Sequence, residues 1–230
     1  MPQTSAVIVA HGFPSDPGPQ EAAMQALAAR VGDHLPGWTM RGATLAAPGA
    51  LDAALDGLDQ PLVYPFFMAE GWFTGTELPR RLDGRGRVMA PFGVEPGLTD
   101  LCARIVADTL AQHGWQAGDT ALLLAAHGSQ RSRTSADSAF AMADRLRARM
   151  GLRQITCGFV EEAPFLADAA KGQGQAICLP FFALRAGHVI EDIPQALEQA
   201  EFSGAVLPPL GEAAGVPALI ADSLQQAARP

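Results

Sequence analysis

Several residue types are scarce in this chain, and each scarcity excludes something. Only one of its sixteen basic residues is a lysine, Lys171, and there is a single tyrosine. The three cysteines, Cys102, Cys157 and Cys178, lie far apart with no C-x-x-C pair. That spacing supports no cysteine-based zinc or iron–sulfur site and suits buried thiols in a reducing compartment. No apolar run approaches the roughly 18 residues needed to cross a bilayer. The chain enters an apolar strand at Ala6 with no basic residue before it, so neither a membrane partner nor a signal peptide is expected and the protein is placed in the cytoplasm. Sixteen basic residues face 24 acidic ones, a net charge of −8, which argues against general binding to nucleic acid or anionic membrane. An anionic small molecule needs only a local basic patch and is not excluded. No G-x-G-x-x-G or Walker lysine follows a first strand, no G-x-S-x-G is present, and alanine (Ala10, Ala126), not arginine, precedes the His-Gly that ends each first strand. Nucleotide binding, serine hydrolysis and histidine phosphatase chemistry therefore lack their motifs.

What is present is a repeat. Val7-Ile8-Val9-Ala10-His11-Gly12 returns as Leu123-Leu124-Ala125-Ala126-His127-Gly128, and Tyr64-Pro65-Phe66-Phe67 returns as Leu179-Pro180-Phe181-Phe182. The offsets are 116 and 115 residues. Two unrelated figures recurring at nearly one offset mean an internal duplication, expected as lobes of residues 1–115 and 116–230. In the first lobe, strands are expected at 5–10, 39–45, 62–67 and 87–90, with helices at 20–31, 50–58, 76–82 and 98–113. The second repeats the order, with strands at 121–126, 153–159, 175–182 and 204–207 and helices at 134–150, 164–171, 191–200 and 213–228. Short apolar strands alternating with helices imply crossover connections, so each lobe is an α/β unit with a four-stranded parallel sheet flanked by helices.

Ligands of such sheets bind beyond the carboxyl ends of the strands. In the second lobe His127 ends the first strand, Glu161 lies just past the second, and His188 follows the third across a short loop. Two imidazoles and a carboxylate in one crevice suit a borderline divalent metal or proton transfer near neutral pH. Each has a plainer alternative: a histidine bonded to a loop carbonyl, a solvated acid with Glu162 equally eligible, and the first residue of a helical turn. Asp192 and Pro194 suit the start of the helix that follows.

In this order and spacing the residues resemble the class II chelatase family, in particular the sirohydrochlorin cobalt- and iron-chelatases. The pieces are an apolar strand into Ala126-His127-Gly128-Ser129, then Phe159-Val160-Glu161, then Pro180-Phe181-Phe182 followed by His188 and Asp192-Ile193-Pro194. The likeness spans nearly the whole chain, because a duplicated two-lobe, flavodoxin-like form is itself a family architecture. It implies a lyase that inserts Co²⁺ or Fe²⁺ into sirohydrochlorin or a related tetrapyrrole in cobalamin or sirohaem biosynthesis. Neither ATP nor a permanent cofactor is needed; the metal is a substrate. Residue by residue, it implies that His127 and His188 bind the metal, with Glu161 at the same centre taking up the pyrrole protons. Arg131, Arg133 and Arg185 would meet the substrate's carboxylates, surface solvation being the other reading.

The sequence departs from the pattern in places. Aligning Pro65 with Pro180 puts Phe73 at the position of His188 and Ala46 at that of Glu161, so of the three groups only His11 survives in the first lobe. That lobe is expected to form a wall of the binding cleft. Trp72 and Phe73 would pack on the macrocycle or between lobes, and His11 would face the ring's opposite side or a substrate carboxylate. Pro164 follows Glu161 after two residues where about three are expected, which keeps Glu162 open as the working acid. No cysteine- or histidine-rich tail is present, so no accessory cluster is expected, and one duplicated chain is expected to act as a monomer. The rival readings are a non-catalytic tetrapyrrole- or metal-binding protein and, on fold analogy alone, a phosphate-ligand enzyme.

Overall fold

The structure, a computed structural model, describes residues 4–130, 134–185 and 187–229, the side chain of His188 excepted. Two four-stranded parallel sheets carry the fold. The first contains β1 (Ser5–Ala10), β2 (Thr39–Thr44), β3 (Leu62–Pro65) and β4 (Arg87–Val88) in the order β2-β1-β3-β4. The second contains β5 (Ala121–Ala126), β6 (Gln154–Phe159), β7 (Ala176–Pro180) and β8 (Ala205–Val206) in the order β6-β5-β7-β8. The first strand of each repeat is thus central and buried along its whole length, which is why both read as unbroken apolar runs rather than alternating ones. The crossover helices are α1 (Gly18–Gly32), α2 (Ala50–Leu55) and α3 (Leu78–Leu82) in the first repeat, with α5 (Thr134–Arg147), α6 (Leu166–Ala170) and α7 (Ile193–Gln199) in the second. Each repeat closes with a long helix, α4 (Leu98–His113) or α8 (Val216–Ala227).

Backbone bonds reproduce the duplication. The Phe66 amide donates to Val9 O at 2.7 Å and the Phe181 amide to Ala125 O at 2.7 Å; Ala46 donates to His11 O at 2.8 Å and Glu161 to His127 O at 3.0 Å. A π-helical turn precedes α3 (Phe73–Glu77) and another precedes α7 (His188–Asp192). Both lie in segments where the sequence pattern predicts loop and ordinary helix. Pro79 and Pro194 follow these turns and have no N–H to extend the α-helical ladder backward. Such wide turns recur at functional sites.

The compact units divide differently from the sequence repeats at 1–115 and 116–230. One unit is Met1–Glu95 with Ala214–Pro230, the other Pro96–Ala213. The closing helices are exchanged. Helix α4 packs against α5 of the second sheet, where Thr99 Oγ1 accepts from Arg145 Nε at 3.0 Å and Asp100 pairs with Arg149. Helix α8 packs against α1, and Ser223 Oγ donates to the buried Glu95 carboxylate at 2.6 Å. An amphipathic stripe specifies that a helix is covered, not which sheet covers it.

Candidate active site

The site in the second unit starts where β5 stops. Parallel pairing continues two residues beyond β6, through Val160 N to Ala126 O (3.1 Å) and Glu161 N to His127 O (3.0 Å). This brings the two side chains onto neighbouring strand ends: His127 Nδ1 stands 3.7 Å from Glu161 Oε2, with both side chains about two-fifths exposed. His127 Nδ1 also lies 2.7 Å from the carbonyl oxygen of Gly128. A carbonyl only accepts, so Nδ1 carries the proton and the neutral ring keeps its lone pair on Nε2, the form that binds metal. The bonded carbonyl and the ligand reading are therefore not rivals. The Glu161 carboxylate faces the proton-bearing edge, so an ion on Nε2 would sit across the ring from it. The carboxylate of Glu161 is thus placed beside His127, at the Nδ1 edge of the ring.

Glu161 and Glu162 have separate occupations. While Glu161 faces His127, Glu162 Oε1 accepts from the backbone N–H of Ser129 at 2.7 Å. His188 begins the π-helical turn beyond β7, the strand on the other flank of β5; its side chain lies outside the described residues, as do Arg131 and Arg133. Among the described residues no group of three metal-ligating side chains is gathered. Arg185 engages Glu212 through Nε (3.0 Å) and Nη2 (2.8 Å), which spends two donors of its planar fork within the protein.

In the first unit an aromatic ring stands against the equivalent histidine. Phe73 begins the π-helical turn there, and its ring lies 4.1 Å from that of His11, centroid to centroid. The His11 Nδ1 is buried without a hydrogen-bond partner. Trp72, 60% exposed, meets Phe73 edge-on at 5.0 Å. Glu77 ends the turn as a buried anchor, taking bonds from Arg80 and from Arg81, which also donates to Leu45 O at 2.6 Å.

The sequence pattern missed Phe165. Phe159 N donates to Pro164 O at 2.9 Å, folding the loop after β6 back upon its strand. Phe165 is left 48% exposed, and with Ser129, Gln130, Val160 and Glu161 it lines an open cavity of about 550 Å³. An aromatic residue in the loop beyond a strand's carboxyl end was the available signal.

A model of the CbiX family matches residues 121–227, a span that opens at β5 and holds His127, Glu161 and His188. The solved structure of CbiX, the terminal enzyme for biosynthesis of sirohaem in denitrifying bacteria, is 50% identical, with a TM-score of 0.90 over 98% of this chain and 100% of that one. This chain belongs to the CbiX family. CbiX-type chains fall within the class II chelatases, and the two parallel sheets are those of the family's tandem lobes. Two more distant structures share the fold. SirB from Bacillus subtilis, solved with Fe³⁺, is 12% identical with a TM-score of 0.77 over 98% of this chain and 96% of that one. The sirohydrochlorin chelatase SirB from Bacillus subtilis subspecies spizizenii, in complex with cobalt, is 14% identical with a TM-score of 0.68 over 98% and 95%. No curated protein matches the chain.

Proposed function

We propose that this CbiX-family chain is a sirohydrochlorin chelatase that inserts a divalent metal into the macrocycle without ATP, using a single centre built on His127. The observation that carries the reading is the approach of His127 and Glu161 at the ends of adjacent strands, in the unit whose sequence matches the family. The reaction exchanges one M²⁺ for two pyrrole protons. A hydrated ion must shed water and two N–H protons must leave before the planar ring can hold it. The His127 Nε2 lone pair replaces a water ligand and then releases the ion to the ring nitrogens, with His188 as the second imidazole. Glu161 takes up protons and balances the positive charge gathering on His127. Phe165 offers an apolar face to the macrocycle across the cavity from Ser129 and Gln130.

The 50% identical relative serves sirohaem synthesis, which supports iron as the ion; imidazole and carboxylate suit cobalt as well. The test is an anaerobic metallation assay with sirohydrochlorin and each ion in turn, followed by absorbance. Acceleration over the spontaneous reaction that is abolished in His127→Ala supports the proposal, and equal rates with and without protein sink it. The Phe73 ring packed on His11 in the first unit favours one rival, a non-catalytic binding protein. Tight tetrapyrrole binding with no acceleration is the result that reading requires.

A further inference from the structure

Glu162 stands beside the proposed acid, yet its carboxylate is turned to the backbone. Its Oε1 accepts from Ser129 N–H at 2.7 Å, and the carbonyl of Gly128 takes the proton of His127 Nδ1 at 2.7 Å. That carbonyl and that N–H belong to one peptide group. The connection therefore runs from His127 Nδ1–H to the Gly128 carbonyl, through the peptide, and from the Ser129 N–H to Glu162. Bonding at the N–H end polarises the peptide and strengthens its carbonyl as an acceptor. The side chain also fills the space beneath the turn. Gly128 has φ +70°, and a Cβ there would lie 2.8 Å from Glu162 Cγ and 2.9 Å from Phe159 Cβ. Only glycine lets the peptide lie this close to the carboxylate.

The duplicated unit is an internal control. Ala47 stands at the position of Glu162 and Phe13 at that of Ser129, and Gly12, with φ +79°, is backed by Thr44 and Ala46. No carboxylate is available from that position, and His11 Nδ1 is left without a partner. Where the glutamate is missing, the corresponding Nδ1 has no hydrogen-bond partner.

We propose that Glu162 is a positioning residue, which fixes the tautomer and orientation of His127 through the Gly128–Ser129 peptide. It needs to be a hydrogen-bond acceptor of the right reach, not a charge. The inference rests on His127 being the working imidazole, but the tautomer can be read without any turnover. Nitrogen-15 NMR of the metal-free protein distinguishes Nδ1–H from Nε2–H forms, and the metallation assay supplies the metal concentration for half-maximal rate.

Parent and Glu162→Gln are expected to hold the Nδ1–H form and similar metal dependence. Glu162→Asp, one methylene too short, and Glu162→Ala are expected to mix tautomers and to require about 10–100-fold more metal. Thermal unfolding identifies any variant that fails to fold, and if Glu162→Ala does fail, the Gln and Asp pair decides. An unchanged tautomer in Glu162→Ala, or an Asp variant that outperforms Gln, overturns the inference. If His127→Ala metallates like the parent, the reading of the site is wrong while the tautomer result stands by itself.

Discussion

The amide of Glu161 donates to the carbonyl of His127 at 3.0 Å, and that bond joins the two ends of the proposed centre through the backbone. It is the last rung of the β5–β6 ladder. The same bond joins Ala46 to His11 at 2.8 Å in the other unit, so the two crevices share this part of their backbone frame. Ala46 and Phe73 stand in the first unit at the positions of Glu161 and His188.

His127→Ala is expected to lower the metallation rate by about 10²-fold or more, the scale for losing a positioned proton-transfer group. His11→Ala should cost far less, since the Phe73 ring covers His11 and its Nδ1 is buried. Initial rates under saturating sirohydrochlorin compare the two. Equal losses would mean that both units take part.

Phe165→Ala should raise the KM for the tetrapyrrole about tenfold with a smaller change in kcat, since an aromatic contact is worth about 0.5–1.5 kcal/mol beyond its area. Phe165→Trp should preserve the parent KM. A kcat effect in Phe165→Ala without a KM effect would place the ring elsewhere in the reaction.

Hydrogen bonds from Arg80, and then from Arg81, hold the Glu77 carboxyl down at about 2 against an ordinary 4.5. A folded-state value below the unfolded one stabilises fully above about 4.5, and that stabilisation is lost as pH falls through about 2. The melting temperature of the parent should therefore fall more steeply over this window than that of Glu77→Gln. Parallel melting curves for the two proteins across acid pH would remove Glu77 as an anchor of the π-helical turn.

Burial pushes the thiols of Cys102 and Cys178 up to about 12 and that of Cys157 to about 11. All three stay protonated at neutral pH, and all are free. A thiol reagent should react slowly with the native protein and with three groups after denaturation, Cys157 first. Fast stoichiometric labelling in the native state would contradict this burial.

Much of the fold was legible because its signals are local. Unbroken apolar runs marked β1 and β5 as central strands, and the spacing of His11 to His127 exposed the duplication. Successive strand ends pointed to His127, Glu161 and His188. The division into compact units was not legible, because α4 and α8 are amphipathic in either arrangement and the choice of sheet is made by distant contacts such as Thr99 with Arg145. Nor were the π-helical turns, which depend on how the chain enters α3 and α7.

The sequence alone determined that two copies of one α/β unit are present and that only the second keeps a histidine, an acid and a second histidine at its strand ends. Telling the surroundings of Glu161 and Glu162 apart needed tertiary structure. They are neighbours of the same residue type, and local pattern treats them alike. The turn after His127 separates them, because it presents a side chain to one carboxylate and a peptide N–H to the other.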